Sequence, residues 1–203
     1  MQQEPPVAKP TRRPRADGER NRTRLIAAAK SACAEKGAAV SLEHIAREAN
    51  VSIATLYRHF PTRDELISAV YQQEVDMLVE AANQLVTKRE PATALREWLM
   101  LFVDFLDAKH GMAEAMDTLI GGPEPLYSRT PHRLDVPIKA LVASGVAAGV
   151  FRDDIDPHDL LRALAGVAHV RPGKNWKQSA IRMVDLLMKG MQSTSSSVNE
   201  RPD

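Results

Sequence analysis

Thr55, Tyr57, Arg58 and His59 put a hydroxyl, a phenol, a guanidinium and an imidazole within five residues of one another. Carboxylates are absent from that run. Donors and an aromatic ring without acids suit base edges and phosphates in a DNA major groove better than proton transfer. The other reactive groups are scattered. His44, His59, His110, His132, His158 and His169 form no His-x-x-x-His or Glu-x-x-His pair that would set two metal ligands on one helical turn, so each reads as a surface or core histidine. The one cysteine, Cys33, allows neither an intrachain disulfide nor a cysteine zinc cluster. No nucleophile elbow, phosphate-cradling loop or dinucleotide fingerprint occurs, and Gly121-Gly122 runs into Pro123, which reads as a turn. Neither an enzyme, a cofactor nor a metal is expected. Asp104 and Asp107 lie in an apolar stretch. They are either the polar edge of a helix or polar groups in a pocket. Met100, Met112 and Met116 read as core or as adaptable cavity lining.

The donor-rich run needs a short helix to present it. Ser52 can cap a helix over Ile53–His59, and Pro61 stops it. Ser41 can cap a preceding helix, Leu42–Ala49, and Asn50 between the two tolerates positive φ. Ile45, Ala46, Ala49, Val51 and Leu56 would pack the pair into a helix-turn-helix whose exposed side carries Thr55, Tyr57, Arg58 and His59. A helix over about Glu19–Lys36 precedes it, with Leu25, Ala28, Ala29 and Ala32 on one face and Gly37 as its stop. Thr62 can cap a fourth helix running to about Thr87, with Asp64 and Glu65 in its first turn.

Net charge is +1 over 203 residues, yet it is uneven. Residues 1–70 carry 12 Lys and Arg against 8 Asp and Glu, and residues 71–203 carry 15 against 18. Lys9, Arg12, Arg13, Arg15, Arg20, Arg22 and Arg24 crowd the front, as a solvated tail or as a surface for phosphates. Residues 1–18, with four prolines, and the Ser-rich residues 192–203 read as disordered. Strand alternation is hard to find, so the fold is expected to be all-α. No apolar run nears the roughly 18 residues of a membrane span and no signal peptide is readable, which predicts a cytoplasmic protein without membrane contact.

The segment from Arg22 to about Leu66 resembles the TetR (tetracycline-repressor-like) family of bacterial transcription regulators. The resemblance rests on the alanine-rich first helix ending in Glu35-Lys36-Gly37. It also rests on Ala49-Asn50-Val51-Ser52, Thr55-Leu56-Tyr57, His59-Phe60 and Arg63-Asp64-Glu65-Leu66. Asn50 replaces the family's usual turn glycine and Arg63 its lysine. Cys33 stands where a bulky aromatic is common, so it reads as core rather than sensor. The resemblance implies a helix-turn-helix domain over residues 19–70 and a variable helical ligand-binding and dimerisation domain over 71–191. It also implies that the recognition helix uses Thr55, Tyr57, Arg58 and His59 for most contacts and Ile53 and Ala54 for apolar ones, while Ser41 and Arg63 hold phosphates.

The C-terminal part can be cut into helices at about Pro91–Lys109, Met112–Ile120, Val136–Ala148, Pro157–Val170 and Trp176–Met191. The first is apolar almost all round, as a helix buried on all sides would be. In the family this helix sits between core and cavity. The expected cavity lining is therefore Met100, Phe102, Phe105, Met112, Met116, Leu119, Ile120 and Tyr127, with Trp98 on either side. The last two helices either form a two-fold dimer bundle or close the monomer core; the resemblance favours the dimer. Three readings follow. One is a dimeric regulator, typically a repressor, bound to a pseudo-palindromic operator on double-stranded DNA and released by a hydrophobic or amphipathic small molecule. Another is a constitutive repressor without effector, and the third an all-helical enzyme or carrier.

Overall fold

The computed structural model describes residues 14–170, 173 and 175–193. Helix α1 spans Pro14–Lys36. It thus begins inside the stretch expected to be disordered; residues 1–13 and 194–203, including Arg12 and Arg13, lie outside the described residues. Gly37 at φ +58° ends α1 and opens a 3-10 turn, Gly37–Ala39. Helix α2, Leu42–Glu48, and α3, Ile53–His59, follow, with Asn50 at φ +52° between them. The caps are those read from the residue types. Ser41 accepts from the His44 amide at 3.2 Å, Ser52 from Thr55 at 3.1 Å and Thr62 from Glu65 at 3.2 Å. Leu25, Ala29, Ile45, Ala46 and Leu56 close the small core beneath the helix-turn-helix, and Cys33 is buried in it.

Helix α4, Arg63–Lys88, belongs to both halves. Its first turns pack on α1, and Lys30 of α1 pairs with the buried carboxylate of Glu74 at 2.8 Å. Farther on, α4 packs on α5, Pro91–Gly111, and on α8, Thr130–Ala147. Two short helices connect these: α6, Ala113–Asp117, and α7, Glu124–Tyr127. Helix α9, Pro157–His169, is capped by Asp156, and α10, Trp176–Gly190, completes the domain. Trp98 lies in the core, where its indole donates to the Leu78 carbonyl at 2.8 Å and its ring stacks on Phe102. Gly145 lets the Phe151 ring lie against α8, where any Cβ would collide with it. Among the described residues there are no strands, only one isolated bridge between Phe151 and Gln192.

Two further boundaries differ from expectation. Helix α8 starts at Thr130 rather than Val136, because Pro131 supplies its first turn and Pro137 is accommodated inside. A proline there leaves the carbonyl four residues back without its helical donor. The stretch expected as one helix to Ile120 is helical only to Asp117; Gly121 and Gly122, both at positive φ, turn the chain toward α7.

Candidate nucleic-acid interface and effector pocket

Helix α3 buries Leu56 and turns its other side outward. Tyr57 is 47% exposed, Ala54 and Arg58 are exposed, and Ile53, Thr55 and His59 are half-buried. Ser52 and Thr55 share a hydroxyl hydrogen bond of 2.9 Å, and Arg58 donates to the Thr55 hydroxyl at 3.1 Å. This ladder orders the guanidinium along the helix face before any partner arrives. Ser41 is exposed at the start of α2. Arg24, read among the basic crowd, donates instead to the backbone carbonyls of Ala49 and Asn50 and so clamps the turn. Arg22 lies over the Phe60 ring, 5.3 Å from its centroid. Arg20 pairs with Asp17.

A cavity of about 430 Å³ opens in the C-terminal half, within the roughly 300–1,000 Å³ of small-molecule sites. Tyr71 of α4 and Phe102, Phe105, Leu106 and Lys109 of α5 form one side. Tyr127, Thr130, Pro131 and Leu134 form another, and α9 contributes His158, Leu161, Arg162, Ala165 and His169. Phe102, Phe105 and Tyr127 therefore stand where the sequence placed them. The other expected lining residues do not. Met112, Met116 and Leu119 are buried outside the lining. Met100 sits roughly 200° round α5 from Phe102, at about 100° per residue, and borders a larger, more open depression with Leu85, Arg89 and Arg96. Ile120 is 95% exposed, because the chain there is turn and not helix.

The residues of α9 that line the cavity recur at i, i+3, i+4, i+7 and i+11, a helical face visible in the sequence but masked by the leucines beside it. Tyr71 bonds the Thr130 hydroxyl at 2.6 Å, which donates to the Leu126 carbonyl at 3.1 Å. The Tyr127 hydroxyl donates to the Met116 sulfur at 3.5 Å. Burial raises the pKa of both phenols, so both stay neutral. His158 pairs with Asp135 at 2.6 Å, and Arg162 with Asp159 at 2.8 Å. Asp104 and Asp107 both face Lys177, at 2.9 and 3.1 Å, and hold α10 on α5 rather than entering the cavity. Among the described residues no group of side chains could hold a metal ion, and no helix is long and apolar enough to cross a membrane.

Helix α6 and the turn after it join the two halves. Arg63 donates to the Thr118 hydroxyl at 2.7 Å and to the Ala38 carbonyl at 3.0 Å. The Ile120 amide donates to Asp64 at 2.9 Å. Gly37 faces Glu114 so closely that any side chain there would collide with it. Arg63 was expected to hold a phosphate; the structure commits its guanidinium to this joint.

The profile described as "Bacterial regulatory proteins, tetR family" matches residues 25–70. That described as "Transcriptional regulator SbtR-like, C-terminal domain" matches residues 90–193, half of the chain. The chain belongs to the TetR family of transcription regulators and is not an enzyme. A TetR regulator of Streptomyces coelicolor has a similar structure, with a TM-score of 0.76 and 37% identity over 86% of this chain and 99% of that one. Another, from Mycobacterium vanbaalenii, gives 0.71 and 29% over 88% and 99%. The HTH-type transcriptional activator FasR of Mycolicibacterium smegmatis is 35% identical over 91 residues, which span 44% of this chain and 42% of that protein. Regulators of this family bind operator DNA through the helix-turn-helix and function as dimers.

Proposed function

We propose that this regulator is a repressor that binds a pseudo-palindromic operator and is released from it by a hydrophobic small molecule held in the α4–α5–α9 cavity. Helix α3 enters the major groove. Thr55, Tyr57, Arg58 and His59 supply polar contacts, Ile53 and Ala54 meet thymine methyls, and Ser41 meets a phosphate. One observation carries the coupling: α4 starts at the reading head, and its Tyr71 is cavity wall. From Arg63 to Tyr71 is about 12 Å along a helix axis. A second contact runs from Tyr127 through Met116 to α6, whose following turn holds Arg63 and Asp64. A ligand that moves α4 or α6 changes the spacing of the two recognition helices in the dimer, which must match successive major grooves.

The test begins with duplexes selected from a random pool by the full chain. Arg58→Ala should weaken binding to the selected site by about 1–3 kcal/mol while leaving random DNA nearly unaffected. Equal loss on both would make Arg58 a phosphate contact and overturn its reading role. The name of the relative FasR, an activator, favours a second reading in which bound protein raises transcription. Transcription in vitro from a promoter carrying the selected site separates the two by the sign of the change.

A further inference from the structure

Among the described residues the cavity is lined by four basic ones, Lys109, His158, Arg162 and His169, and by no Asp or Glu. Two of the four already have carboxylate partners, His158 in Asp135 and Arg162 in Asp156 and Asp159. Lys109 is different. Its ammonium sits 3.7 Å from the centroid of the Tyr127 ring, and among the described residues no carboxylate comes within ion-pair distance of it. The nearby Asp107 is engaged by Lys177. Burial at the end of α5 disfavours the charge on Lys109, and Glu124 only partly restores it. The last turn of a helix still favours a cation, and a ring face attracts one. The result is a half-buried cation with an aromatic ring against one side and, among the described residues, no carboxylate at ion-pair distance on the other. The rest of the lining includes Phe102, Phe105, Leu134 and Leu161.

We infer that the effector is an amphipathic carboxylate, with its carboxylate on Lys109 and its apolar tail among Phe102, Phe105, Leu134 and Leu161. This rests on the reading of the cavity as an effector site. An uncharged or cationic amphiphile of equal length would fill the same space but leave Lys109 unpaired or repelled. A buried charge gains most from a partner in such surroundings.

The experiment titrates the full chain by calorimetry with decanoate, decanol and decyltrimethylammonium, all below their micelle concentrations. Decanoate should bind at least about ten-fold more tightly than decanol, and the cation more weakly than both. Lys109→Met should remove that preference while decanol binds as before, and Lys109→Arg should keep it. Decanol equal to decanoate in the unsubstituted protein, or the cation binding best, would overturn the inference and leave the cavity an effector site. Failure of all three probes to bind would overturn both readings. If Lys109→Met loses decanol as well, its cavity has collapsed, and the three-probe comparison on the unsubstituted protein decides alone.

Discussion

His110 shows how much of a residue's behaviour is set by what folds over it. Its Nδ1 is buried without a hydrogen-bond partner among the described residues, and Trp176 meets its ring edge-on at 5.0 Å. Burial lowers its pKa most; His169 and Lys109 lower it further, and Asp107 opposes them. Folding therefore favours the neutral imidazole, while the unfolded chain takes up its proton near pH ~6.5. The stability this confers is whole above that pH and is lost as pH falls below it, until the depressed folded value is passed. His110→Gln should thus show a shallower fall in Tm between about pH 7 and 5 than the unsubstituted protein. Parallel curves would mean that His110 does not titrate with folding. Residue types made the caps Ser41, Ser52 and Thr62 legible, because a cap acts within three residues of itself. Lys109 and His169 were not legible as lining, because four other helices decide what lies in front of them.

Long helices carried their period in the sequence and short ones did not. Helices α6 and α7, of five and four residues, are too short to repeat an apolar face, which is why Ile120 was expected inside a helix that had already ended. Pro137 gave a local signal for a helix start that burial overrode. The pair α9 and α10 carried its period, but not the direction of each face. Leu164, in a helix expected at the dimer interface, is 0% exposed and belongs to the monomer core with Leu160 and Val184. Facing outward are Leu186, 63% exposed, Val170, and two glycines, Gly166 and Gly190, with open space before them. We propose this outer face as the dimer seam, where small residues let helices approach. Leu186→Glu should give monomers in sedimentation, because an unpaired charge in the seam is costly. A monodisperse dimer from that variant would place the seam elsewhere.

At the scale of the molecule, the reading head and the cavity are two packed units sharing α4, with α6 and its turn bridging them a second time. Of the expected basic arm, residues 1–13 lie outside the described residues, and Arg20 pairs with Asp17 within α1. The all-α class and the division into a helix-turn-helix and a larger helical domain were both legible. The joint was not, because Arg63 and Asp64 lie 55 and 56 residues before their partners Thr118 and Ile120 and share no motif with them. Under the proposed function, cavity and operator compete through this joint, and such coupling must be reciprocal. The direct measurement is calorimetry of the ligand that a thermal-shift screen of the full chain ranks first, titrated with and without the selected operator duplex. Operator should weaken ligand binding by the same factor by which ligand weakens operator binding, roughly 5–150-fold for couplings of the usual size. Equal ligand affinity in the two titrations would contradict it, and the constitutive repressor would take its place.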